Sequence, residues 1–271
     1  MLSKKILFTG LALCISASAF AHFQLIHTTS SNITDKNTVP FELIFTHPGE
    51  GMEGHSMDIG KDEKGSIKPM EAFFSVHKEQ KTDLKNKLVS SKFGPNGHQV
   101  QAYKFTFDKT TGLKGGGDWG FVAVPAPYYE ASEEIYIQQV TKAFVNKDDI
   151  STDWDARIAE GYPEIIPLNN PTNLWVGQVF RGKVVDPEGK AVANAEIEVE
   201  YINADIQNSQ FVGENKFENA AMVLRADEFG YFSFIPVHAG YWGFAALGAG
   251  GEKTHNGKEL SQDAVLWIEA K

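Results

Sequence analysis

Two places in the chain gather side chains that bind metal ions. The first is His22, which directly follows the Ala-x-Ala pattern Ala19-Phe20-Ala21. If the chain is cut after Ala21, His22 offers two nitrogens from one residue, the freed α-amine and the imidazole Nδ1. Together they close a six-membered chelate. An N-terminal amine titrates near ~8 and an imidazole near ~6.5, so both give up a proton cheaply at neutral pH. The third mature residue would be Gln24, so this is not the amino-terminal copper and nickel motif that needs histidine in third place.

The second place is THPGEGMEGHSMDIG, residues 46–60, which holds His47, Glu50, Met52, Glu53, His55, Met57 and Asp58 in a stretch broken by glycines. Glycines at 49, 51 and 54 let such a loop bend His47 and His55 toward one point. Imidazole donors suit Ni2+, Co2+, Cu2+ and Zn2+, whereas the thioethers of Met52 and Met57 pull toward Cu+. His27 stands five residues after His22, so along a regular strand the two point to opposite faces; it is a reserve ligand. Taken alone, His22 is also readable as a polar residue that happens to follow a cleavage site, and the loop as an exposed turn. His77, His98, His238 and His255 sit beside turns or in the second half of the chain and are expected to be structural or solvated.

Catalytic signatures are missing. There is no Gly-x-Ser-x-Gly elbow and no His-Glu-x-x-His helix, so the common hydrolase motifs are excluded. KGGGDWG, residues 114–120, lacks the lysine-serine pair and the following helix of a phosphate cradle. The chain is not expected to be an enzyme.

The elements that must carry these residues are strands. TVPFELIFTH (38–47), QVQAYKFTFD (99–108), GFVAVPAPYY (120–129) and IYIQQVTKAFV (135–145) are apolar, β-branched or aromatic runs separated by glycine-rich turns. Only 83–91 and 153–161 carry a helical period, and short helices are expected there. Around Pro171 three prolines and two asparagines interrupt the pattern. The fold class is therefore all-β with two β-sandwich domains, at 22–170 and 171–271. In the second, GKVVDPEGKAVANAEIEVEYI (182–202) reads as strand, turn and strand, with Ile197, Val199 and Tyr201 on one face. This half resembles the transthyretin-like or carboxypeptidase regulatory-like sandwich, a module that is usually structural or adhesive.

Residues 1–21, with Lys4, Lys5 and an apolar run from Ile6 to Ile15, read as a secretory signal peptide. The run is too short to span a bilayer. A lipoprotein box ending at Cys14 is disfavoured by Leu13, because the position before a lipidated cysteine takes a small residue. Cleavage after Ala21 removes the chain's one cysteine, so stability must come from burial and not from disulfides. It also makes the formal charge of −10 more negative by two lysines. An acidic balance disfavours nucleic acid and anionic membranes as partners.

Read in order, HFQLIH at 22–27, FTHPGEG with SMDIG, KTDL at 81–84, VPAPYYEASEEIYIQQVTK at 124–142, EIIPL at 164–168, LWVGQVFRGKVV at 174–185 and AGYWGFAALG at 239–248 resemble one family. It is the NikK-like periplasmic component of nickel and cobalt uptake systems of the energy-coupling-factor type, often catalogued only as a domain of unknown function. The resemblance implies a periplasmic protein that binds Ni2+, with Co2+ or Cu2+ as alternatives, and serves membrane subunits of a transporter. It places His22, His47, Met57 and Asp58 on the family's motif, and makes His55 a substitute ligand. It also marks Gln139 as a departure where relatives can carry histidine. Two other classes stay open, a copper monooxygenase using a histidine brace and an adhesion module with incidental histidines.

Overall fold

Alternation of large apolar residues decides this architecture, because a strand buried on both faces needs two separate cores. The computed structural model describes residues 22–218 and 221–271; the expected signal peptide lies outside the described residues. The first half contains β1 (Phe23–His27), β2 (Thr38–Thr46), β3 (Ala72–His77), β4 (Gln80–Asp83), β5 (Val89–Phe93), β6 (Val100–Asp108), β7 (Gly117–Val124), β8 (Tyr128–Glu130) and β9 (Ile135–Lys147). The second contains β10 (Glu164–Pro167), β11 (Phe180–Val185), β12 (Glu196–Tyr201), β13 (Asp205–Gln207), β14 (Gln210–Val212) and β15 (Ala221–Arg225). It ends with β16 (Tyr231–Phe234), β17 (Gly240–Ala246), β18 (Thr254–His255) and β19 (Lys258–Ala270).

The expected all-β class is what forms. A large central sheet runs β15-β12-β17-β19-β9-β7-β3-β4, with a four-stranded sheet β1-β2-β6-β5 and a three-stranded sheet β10-β11-β16 as the other layers. Phe121, Ala123, Val145, Val265 and Trp267 point into one core with Phe23, Phe41 and Phe105. Their neighbours Val122, Val124, Phe144 and Leu266 point into the other with Ile165, Phe180 and Phe232. Strict alternation along β7, β9 and β19 thus feeds both cores. Ile197, Val199 and Tyr201 share the second core as expected.

β9 and β19 pair in parallel from Leu260↔Tyr136 to Trp267↔Ala143, and β10 pairs with β11 across Pro171. The halves on either side of Pro171 therefore share one sheet. Neither expected helix forms. Residues 85–87 make a single 3-10 turn followed by β5, and 153–161 is turn and bend. In the second case a competing acceptor wins: the buried carboxylate of Glu164 takes the N–H groups of Ile158 and Ala159 at 3.1 and 2.9 Å, and it also pairs with buried Lys142 at 2.5 Å. Among the described residues no helix is long and apolar enough to cross a membrane.

Candidate metal centre

Two strand registers assemble the centre. β1 and β2 run antiparallel with Phe23 opposite Thr46 and Gln24 opposite Phe45, so the next step of the ladder sets His22 beside His47. An antiparallel bridge joins Thr46 to Ser56, and its next step sets His47 beside His55, whose carbonyl accepts the His47 N–H at 3.4 Å. Three histidines far apart in sequence thus fall on adjacent rungs. Their ring centroids lie 4.5 Å apart for His22 and His47, 4.5 Å for His47 and His55, and 6.1 Å for His22 and His55. One ring nitrogen from each lies within 4.8 Å of the other two. With metal–nitrogen bonds of about 2.0–2.1 Å, nitrogens that share an ion lie at most about 4.2 Å apart, so the rings would have to draw together to hold one.

The loop between the two histidines is a chain of turns. Glu50, Gly51, Glu53 and Gly54 donate their N–H groups to the carbonyls three residues back. Gly54 is dictated by space, since a Cβ there would lie 2.6 Å from the His47 carbonyl oxygen. The far half of the chain holds the loop from outside. Glu200 on β12 accepts the Gly49 N–H at 2.7 Å, and Asn203 donates its backbone N–H to the Pro48 carbonyl at 3.0 Å and its side-chain amide to the Gly49 carbonyl at 2.9 Å. Asn215 reaches the Glu50 carbonyl and the Met52 N–H, both at 2.8 Å.

The centre grades from dry to wet. His47 is buried, His22 is half-buried and His55 is exposed. Burial holds the His22 imidazole down at about 4, with Glu130 opposing and His55 assisting the shift. It is therefore neutral at pH 7, the state a ligand needs. Glu130 on β8 places Oε2 3.3 Å from His22 Nε2. Burial would raise the Glu130 carboxyl, but the Ser132 hydroxyl and N–H, and then His22 and His55, hold it below the usual range. Tyr128 packs on His22 at 5.9 Å and on Phe45 at 5.2 Å, and burial, with Glu130 and Asp58 adding to it, pushes its phenol up to about 12.

Of His22, His27, His47, His55, Met57 and Asp58, the histidines at 22, 47 and 55 meet. The other three do not. Met57 is buried in the first core, its N–H on the Phe45 carbonyl, because it continues the pairing that begins at Ser56. Asp58 gives Oδ1 to the Gln101 N–H at 2.7 Å and Oδ2 to Lys61 at 3.4 Å, so its carboxylate ties the loop to β6. His27 lies at the other end of β1, opposite Glu42 and 5.8 Å from Tyr241. Gln139 accepts the Gln24 N–H at 2.7 Å and so holds β1 against the central sheet. Among the other histidines, His77 stacks on Trp119 and His238 on Phe217, both at 3.8 Å.

Sequence reasoning missed Glu130, Tyr128 and the clamp of Glu200, Asn203 and Asn215. Nothing in local spacing marks the clamp. Glu130 carries a faint signal, the Glu-x-Ser turn with Ser132.

No curated protein matches the chain. Among solved structures it is similar at 8% identity to the dimeric latent PorU of Porphyromonas gingivalis, over 93% of this chain and 20% of that one, with a TM-score of 0.22. It is similar at 12% identity to the E. coli alpha-2-macroglobulin in its native conformation, over 93% and 14%, with a TM-score of 0.22. The chain thus spans a fifth or less of these proteins. The family described as a domain of unknown function, DUF4198, matches residues 19–250, a span that takes in the histidine centre and the clamp and stops before β19, and the chain belongs to that family.

Proposed function

We propose that the protein is a periplasmic carrier of a borderline divalent cation, Ni2+ first and Co2+ next, which passes the ion to membrane subunits of an energy-coupling-factor transporter. The observation that carries this reading is the convergence of His22, His47 and His55 within 4.8 Å. The NikK-like resemblance supplies the nickel and cobalt class and the transporter as partner.

An all-imidazole set, joined by the amine of His22 once the signal peptide is removed, suits these ions. Burial of Met57 in the core takes away one of the two thioethers that would favour Cu+, and Met52 is left exposed. A centre that runs from buried His47 to exposed His55 can seize an ion from one side and release it there. The copper monooxygenase reading draws on His22 and His47 as the brace. It is weakened by His55, a third imidazole at the same point, where a brace uses two histidines.

Calorimetry with Ni2+ on the chain beginning at His22 tests the carrier reading. His22→Ala keeps an amine but loses one imidazole and its chelate ring, and the expected loss in affinity is at least ~10-fold. Equal affinity in parent and variant would falsify the reading.

A further inference from the structure

An imidazole has two nitrogens, and only one can face the ion. The other must be held by something, because the proton it carries decides which nitrogen keeps a free lone pair. In this centre the group within reach of it is Glu130. Its Oε1 is occupied by Ser132, which donates its N–H at 2.9 Å and its hydroxyl at 2.6 Å. The remaining oxygen, Oε2, is the one 3.3 Å from His22 Nε2. Tyr128 and Phe45 pack against the same ring at 5.9 and 5.5 Å and limit its rotation.

Glu130 itself stands outside the group of donor atoms that converge within 4.8 Å. Its contact is with the Nε2 edge of the His22 ring. That leaves Nδ1 for the ion, and Nδ1 is the nitrogen whose position on the ring lets it close a six-membered chelate with the α-amine of the same residue. The carboxylate takes one ring nitrogen while the chain terminus needs the other.

We propose that Glu130 is a positioning residue that holds the Nε2–H of His22, so that the ion is bound by Nδ1 and the α-amine as a pair. This rests on the carrier reading and deepens it. The ion-binding unit is then incomplete until the peptide bond before His22 is cut, since a chain still attached at that nitrogen offers an amide in place of an amine. The precursor has a weak site and the processed chain a strong one, with Glu130 mattering only in the second.

The test is a double-mutant cycle read by Ni2+ calorimetry on four chains: the chain starting at His22, its Glu130→Ala variant, a chain extended by one alanine before His22, and the extended chain with Glu130→Ala. Loss of a carboxylate behind a ligating histidine typically costs ~10–100-fold in metal affinity, and that is the expected effect of Glu130→Ala in the processed chain. The extension should weaken binding by at least ~10-fold, and Glu130→Ala should then add little, because interacting groups are non-additive. Glu130→Gln, which keeps an acceptor for Nε2–H, should restore most of the affinity.

A purely structural role for Glu130 would lower affinity equally in both chains and would not be rescued in this way. If Glu130→Ala leaves affinity unchanged or tightens it, Nε2 is the metal nitrogen and the inference falls. Should Glu130→Ala not fold, the extension alone decides, since an extended chain that binds as tightly as the processed one overturns it. Absence of any Ni2+ binding by the parent defeats the carrier reading itself, whereas normal parental binding with no effect of Glu130 defeats only this inference.

Discussion

Glu200 is the group through which the second half of the chain grips the loop from His47 to His55, and its chemistry predicts an unusual pH dependence. The side chain is buried, and its Oε2 accepts the Gly49 N–H two residues after His47. Burial raises its carboxyl from 4.5 to about 8, against the pull of the Gly49 bond and with the charges of Glu198 and Glu50 adding to the rise. A folded-state value above the unfolded one means that the native state holds the proton over the interval between them. Stability is fully present below pH 4.5 and is lost as pH climbs toward 8. At about 1.4 kcal/mol per unit, the loss between pH 4.5 and 7 is about 3 kcal/mol. Glu200→Gln retains an acceptor for Gly49 and removes the titration. Urea unfolding of parent and variant at pH 5, 7 and 8 should give a difference that moves in favour of the variant by roughly 2–3 kcal/mol from pH 5 to 7, while Ni2+ binding at pH 7 is kept. A difference that stays flat across this range would show that Glu200 is ionised in the fold, and the argument from burial would be wrong.

Two further perturbations probe the frame and the loop. Lys142→Met removes the buried cation beside Glu164 and leaves its carboxylate with Arg157 alone, 3.9 Å away, so unfolding free energy should drop by about 3 kcal/mol; adding Glu164→Gln should recover part of it, and no recovery would mean that the charge pair is not what the site requires. Gly54→Ala drives a methyl against the His47 carbonyl oxygen, which as backbone cannot swing aside. Ni2+ affinity should fall by ~10-fold or more through parting of His47 and His55, while stability drops only about 1 kcal/mol, and calorimetry beside a thermal melt separates the two effects.

The sequence makes the strands legible because their alternation is a local property. β2, β6, β9 and β12 follow directly from apolar periodicity, and the turn residues between them set their ends. The layers are less legible. β9 falls in the first expected sandwich and β19 in the span of the second, yet the two pair in parallel at the centre of one sheet, and no window of sequence records which distant strand lies alongside. The helix expected at 153–161 fails for the same reason, since its N–H groups go to Glu164, a carboxylate beyond the window that suggested the helix.

The site divides along the same line. His22 and His47 meet because of a register that only the β1–β2 pairing defines, and His55 joins them because Ser56 pairs back onto Thr46. Met57 and Asp58 stand within three residues of His55 and are equally good donors by residue type. They are lost to the centre because that same pairing continues: Met57 turns into the core, and Asp58 is drawn to Gln101 on β6. Proximity in sequence names the residue types that can bind an ion. Register decides which of them converge, and register is held here by β12 and the loop around Asn215. Ion affinity should therefore respond to substitutions at Asn203 and Asn215, residues with no access to the ion, wherever they loosen the turns that carry His47 to His55.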